Sequence, residues 1–181
     1  MTVEKEIRLL IIFIAIGYLS NFCFGLLGSF FPTESLGQLI SWQIGDTMAI
    51  MASVLAGKQV GSRGQNLAAA GYTMLAIAYG VSFGSSSISA VNAEKMSTVL
   101  LPLLPAIILI SFCRIFPSLI RFGSLLIIIP FFFMYWNVIN HSYRNDNLSN
   151  LLAYSGIQLL GVLWAIFIWN DYKKLENMSN K

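Results

Sequence analysis

Polar residues interrupt this chain so seldom that six apolar stretches stand out, at 7–31, 36–56, 67–88, 99–116, 119–140 and 151–170. Each approaches the roughly twenty residues that carry an α-helix across a bilayer core of about 30 Å. Pro32 closes the first stretch and Pro117 follows the fourth, as expected of a residue that lacks an N–H and cannot continue a helix. The pattern predicts an all-α integral membrane protein, a bundle of six transmembrane helices forming a single domain over 1–181 with short connections. The first stretch exceeds the length of a signal-peptide core, and no A-x-A cleavage site follows it, so it is expected to remain in the mature protein.

Composition agrees with lipid as the main solvent. The chain is 56% hydrophobic and 10% charged, against about 25% charged in soluble domains. The basic residues are too scattered to bind nucleic acid, and their placement reads instead as topology. With the N-terminus inside, Lys5, Arg8, Lys58, Arg63, Arg114, Arg121, Lys173, Lys174 and Lys181 fall on the cytoplasmic side, and only Lys95 and Arg144 of the eleven fall outside. A re-entrant second stretch would divide them almost evenly, so the charges predict six full crossings of the cell membrane with N- and C-termini cytoplasmic. Trp169 and Tyr172, followed by lysines, fit an interfacial anchor at that end.

Asp46, in the second stretch, carries the most chemical information. A carboxylate in mid-span costs about 2.5 to 3.5 kcal/mol on insertion scales, so it is expected to face the bundle interior. Gln38, Trp42, Asp46, Ala49 and Ser53 recur at helical spacing, which makes one polar and small stripe that should point inward. Counting along the helices puts Asp46 roughly 15 Å and Tyr79 roughly 18 Å above the cytoplasmic boundary. Asn21 and Gln158 come to similar depth, Asn137 lies nearer the outer face, and Gln43 neighbours the acid on its own helix. The set suits a proton or cation relay or a midplane pocket for a small solute. Equally, a hydrogen-bonded or protonated Asp46 could fasten helices together.

Other features are less specific. Ala68, Ala76, Gly80 and Gly84 keep a four-residue period around Tyr72, so the third helix should be central or form a homodimer seam. Ser85, Ser86, Ser87 and Ser89 at its outer end read as capping. The stretch 57–66 reads as a cytoplasmic loop in which glycines accompany Lys58 and Arg63. Such a loop could hold an anion or lipid headgroup, although it matches no phosphate motif. Cys23 and Cys113 have neither redox nor zinc spacing and are expected to be buried small hydrophobes. Sliding the chain by ninety places Asn21-Phe22-Cys23 over Ser111-Phe112-Cys113, a trace of an inverted repeat that does not extend further.

No enzyme is expected. Ser82 lies between Gly80 and Gly84, but a serine nucleophile needs a histidine base, and the only histidine, His141, falls past the outer end of the fifth stretch. With Arg144 and Asp146 it could respond to external pH. No metal or cofactor motif occurs. Size and span count alone resemble those of small six-helix transporters and vitamin-binding membrane components, without a shared residue motif. The sequence is therefore read as a small carrier or channel-like protein with a site at Asp46, Tyr79, Asn21, Gln158 and Gln43, coupled through a proton. Its alternative is a non-catalytic subunit packed among lipids into a homo-oligomer or larger membrane complex.

Overall fold

The computed structural model describes residues 3–32, 35–86, 93–144 and 147–179; Ser87, Ser89, Asp146 and Lys181 lie outside them. The described residues form seven helices and no strand: α1 (Val3–Ser29), α2 (Leu36–Ser62), α3 (Asn66–Ser86), α4 (Ala93–Ser111), α5 (Ser118–Leu126), α6 (Ile128–Ile139) and α7 (Leu148–Ser179). Five stretches are long and apolar enough to cross a membrane, namely Lys5–Ser29, Leu36–Ser62, Asn66–Ser85, Ser118–Ile139 and Leu148–Met178. Lys95–Ser111 is apolar but shorter.

Local chemistry sets the helix boundaries. The Ser35 side chain caps α2 by accepting from the Gln38 N–H at 3.3 Å. At the other end Gly64, with φ of +73°, lets the Gln65 N–H reach the Val60 carbonyl at 3.1 Å and the Gly64 N–H reach the Gly61 carbonyl at 2.9 Å. This is the left-handed glycine closure that satisfies the last carbonyls of a helix. It corrects the expected loop over 57–66: helix persists through Ser62, and the connection is only a tight turn. Similarly, α7 passes the expected end at 170 and continues through Lys173 and Lys174 to Ser179.

The fourth and fifth stretches depart most from the expectation. Helix α4 spans 93–111 rather than 99–116, and residues 112–116 form turns, because Pro117 disfavours helical geometry in the residue before it. Pro102 and Pro105 inside α4 each remove one helical hydrogen bond. Ile127 separates α5 from α6 with near-helical dihedrals, and Pro130, one turn on, lacks the N–H that would continue the ladder there. The two helices thus form a single broken column.

Each helix packs on its neighbour in sequence, and α1 packs on α7, which closes a ring of six columns. At one end Gln65 Oε1 accepts from the Arg114 N–H at 3.1 Å, and Arg63 meets Asp171 at 3.0 Å. At the other end Lys95 donates to the Ser85 carbonyl at 2.8 Å, and Asn137 donates to Ser149 at 3.4 Å. Helix α4 therefore runs between the same two ends as α3.

Aromatic side chains fill the middle of the ring. Trp164 of α7 is completely buried, with ring centroids of Tyr72 at 5.6 Å, Tyr18 at 6.3 Å and Phe116 at 6.5 Å. Its indole N–H donates to Ser124 Oγ at 3.3 Å, so the one polar atom of that large apolar group is satisfied. Tyr18 shares a 3.0 Å hydrogen bond with Ser53.

Two packing expectations are corrected. Helix α3 is one stave of the ring rather than its centre, which leaves the homodimer seam as the other reading of its small residues. Its tightest approach is at Gly71, where a Cβ would come within 2.9 Å of the Ala106 carbonyl of α4, whereas Gly80 and Gly84 have open space around them. Cys113 is buried, but Cys23 lies exposed on the outer face of α1, a face that also presents Leu19, Leu26 and Leu27.

Candidate functional site

Of the polar stripe expected on α2, Gln38, Ala49 and Ser53 are buried in the ring and Trp42 and Asp46 are half-buried at its edge, while Ile40, Ile44 and Val54 lie exposed on other faces. Period and composition together aim Asp46 inward, because the side lined with small and polar residues is the one that can approach other helices.

Asp46 opens on an internal cavity of about 40 Å³ whose walls include Asn21 of α1, Tyr79 and Ser82 of α3, Phe131 of α6, and Tyr154 and Gln158 of α7. Four of the five residues expected in the pathway therefore meet at one place. Gln43 is not among them; it lines a shallower outer groove with Ile40, Ile44, Thr47, Met48 and Phe83. Three positions before Asp46, it is turned about 60° around the helix from the acid, enough to leave the inner face.

Ser82 and Tyr154 also belong to the cavity, beyond the residues that the sequence pattern assigns to it. Helical spacing could have found both, since Ser82 lies three residues after Tyr79 and Tyr154 four before Gln158. Ser82 lines the cavity together with Asp46. The Tyr154 hydroxyl donates to the Met96 sulfur at 3.4 Å. Asn21 is buried, and its Oδ1 has no hydrogen-bond partner, an arrangement that costs free energy unless a ligand or water completes it.

Glycines make room for these amides. A Cβ on Gly25 would collide with the Gln158 side-chain amide, and one on Gly45 would sit 3.4 Å from Asn21 Nδ2. The site thus depends on α1 and α2 offering bare backbone where polar side chains must lie.

No protein family, curated protein or solved structure matches this chain. Functional argument therefore rests on the chemistry of the cavity. Asp46 is the only carboxylate among its described walls, and they include no lysine or arginine. Among the described residues no group of three or more His, Cys, Asp or Glu side chains could hold a metal ion.

The remaining expected positions take other places. Lys58 lies 3.6 Å from Glu6 with both side chains well exposed, and Arg63 binds Asp171. Each cation of the supposed anion loop thus has a carboxylate beside it. His141 is exposed at the turn after α6, where it adopts a φ of +54°.

Proposed function

We propose that this chain is a multi-pass membrane transport protein, a small carrier or channel-like bundle whose transported species binds at Asp46. In this reading the six columns are six crossings of the cell membrane, with both termini cytoplasmic. The shorter α4 is the sixth crossing: its 19 residues reach about 28 Å at 1.5 Å per residue, close to the hydrocarbon thickness. The positive-inside bias supports the orientation, and so does Lys173 lying 5.5 Å over the Trp169 ring, the kind of amphipathic pairing suited to an interface.

One observation carries the transport reading: the ionisable carboxyl of Asp46 opens on an internal cavity that all six columns line, with polar side chains from α1, α3 and α7 beside it. Interhelical fastening alone is served by uncharged residues, whereas an intramembrane acid marks an ion or substrate pathway by default. Gain and loss of a proton at Asp46 would supply coupling. The test is flux in liposomes containing the purified protein. Wild type should dissipate an imposed cation or proton gradient, and Asp46→Asn should abolish that activity; equal flux in the two proteins refutes the assignment.

A second reading, a non-catalytic subunit of a larger membrane complex, is favoured by the small-residue face of α3, where Gly80 and Gly84 have open space beside them. It requires a stoichiometric partner after mild extraction and no flux from the isolated chain.

A further inference from the structure

The cavity at Asp46 sets side-chain oxygens of Asn21, Asp46, Ser82 and Tyr154 among largely apolar walls. Tyr154 commits its hydrogen to the Met96 sulfur, and Ser82 lines the same wall as Asp46. Their oxygen lone pairs remain, beside a carboxylate and the unpartnered, buried Oδ1 of Asn21. We propose that this cavity is a binding seat for a monovalent alkali cation, ligated by Asp46, Asn21 Oδ1 and the hydroxyl oxygens of Ser82 and Tyr154.

Size and charge select the ligand. A water needs roughly 10–15 Å³ of such space, so about 40 Å³ admits one ion with one or two waters and excludes sugars, amino acids and larger organic cations. The lining offers hard oxygen and neither imidazole nor thiolate, which disfavours zinc and copper. Calcium takes six to eight oxygen ligands, usually from several carboxylates, and magnesium retains several waters. One carboxylate neutralises one positive charge, and in a low-dielectric seat the excess charge of a divalent ion would stay uncompensated. The cation and a proton would compete for the same carboxylate. Asn21 then has a defined task, presenting a neutral oxygen that cannot be protonated away.

The proposal deepens the transport reading by naming the ion class, and the experiment separates the two. Purified protein in detergent is held at constant ionic strength with choline chloride while NaCl, LiCl or KCl replaces it. Melting temperature and intrinsic tryptophan fluorescence are followed at several pH values. At least one alkali cation should stabilise the wild type saturably, with a midpoint moving to higher concentration as pH falls. Asp46→Asn should abolish the response, and Asn21→Leu should weaken it about tenfold or more. Should Asn21→Leu fail to fold, Asn21→Asp serves instead, because a second carboxylate should bring a new response to CaCl₂. A wild type that responds no differently to alkali cations than to choline, or that prefers calcium, overturns the seat. Proton flux sensitive to Asp46→Asn would in that case still support transport. A saturable cation response without any flux would uphold the seat and remove the transport reading.

Discussion

The Arg63 guanidinium meets the Asp171 carboxylate at 3.0 Å, which ties the turn after α2 to the far part of α7 across a ring in which those two columns otherwise barely touch. Both side chains are about two-thirds buried, and Arg63 Nε is buried without an acceptor. The guanidinium is thus only partly compensated even when paired. Asp171→Asn should therefore cost more stability than an exposed pair would, about 1–2 kcal/mol after allowance for solvent screening. The double variant Arg63→Gln with Asp171→Asn should recover part of that loss, since no charge is stranded. Chemical denaturation of purified Asp171→Asn, Arg63→Gln and the double variant in detergent checks the order; a double variant as unstable as the sum of the singles argues against the pair.

Gly25 and Gln158 form a second dependent pair. Because any Cβ on Gly25 would collide with the Gln158 amide, Gly25→Ala should turn that amide out of the cavity while leaving the ring assembled. Displacing a group that orients a ligand site commonly costs about 10- to 100-fold in affinity, and a loss near the lower end of that range is expected in ion binding or flux. Combining Gly25→Ala with Gln158→Ala should be no worse than Gly25→Ala alone. A further tenfold drop in the combination would mean that Gly25 acts through something other than Gln158.

The inward face of α2 is legible in the amino-acid pattern because Gln38, Trp42, Asp46, Ala49 and Ser53 repeat at the helical period, and lipid leaves a polar stripe no other direction to face. Depth counting brings Asn21, Tyr79 and Gln158 to it because uninterrupted helices rise evenly. Hydropathy does not reveal the helix ends. Apolar character stops near Ala56 and Asn170, but α2 and α7 continue to Ser62 and Ser179, because single positions such as Val60 and Tyr172 still pack inward and the turn at Gly64 sets where α2 ends. Gln43 is close to Asp46 in sequence, whereas membership of the cavity depends on angle around the helix. Ser82 sits between glycines in a pattern that superficially suits a nucleophile, although its spacing of three from Tyr79 already puts it on the cavity side of α3.

Trp164 anchors the interior, so its substitutions should separate packing from hydrogen bonding. Trp164→Phe keeps an aromatic ring against Tyr72 and Tyr18 but removes the donor to Ser124, at an expected cost of about 1–3 kcal/mol in packing and polar satisfaction. Trp164→Ala should cost about 3–5 kcal/mol, the range for deleting a large buried aromatic. Ser124→Ala leaves the indole N–H buried without an acceptor and should cost about 1–3 kcal/mol. Equilibrium unfolding monitored by near-ultraviolet dichroism measures all three; a neutral Ser124→Ala would mean that water reaches the indole.

The status of α4 decides the topology, and one labelling experiment decides α4. If it crosses the membrane, the turns bearing Arg63, Arg114 and Arg121 share the cytoplasmic side with Lys173, as the Gln65–Arg114 and Arg63–Asp171 contacts require at one end of the ring. If it does not cross, every later segment changes sides, Lys173 emerges opposite Lys58, and those contacts cannot form. Single cysteines replacing Lys58, Arg144 and Lys173, in a chain carrying Cys23→Ser and Cys113→Ala, should be probed in sealed right-side-out vesicles with a membrane-impermeant maleimide. Six crossings predict labelling at position 144 from outside, and at 58 and 173 only after the vesicles are opened. Labelling of position 173 in intact vesicles would reduce the crossings to five, and would break the ring that holds Asn21, Asp46, Tyr79 and Gln158 around one cavity.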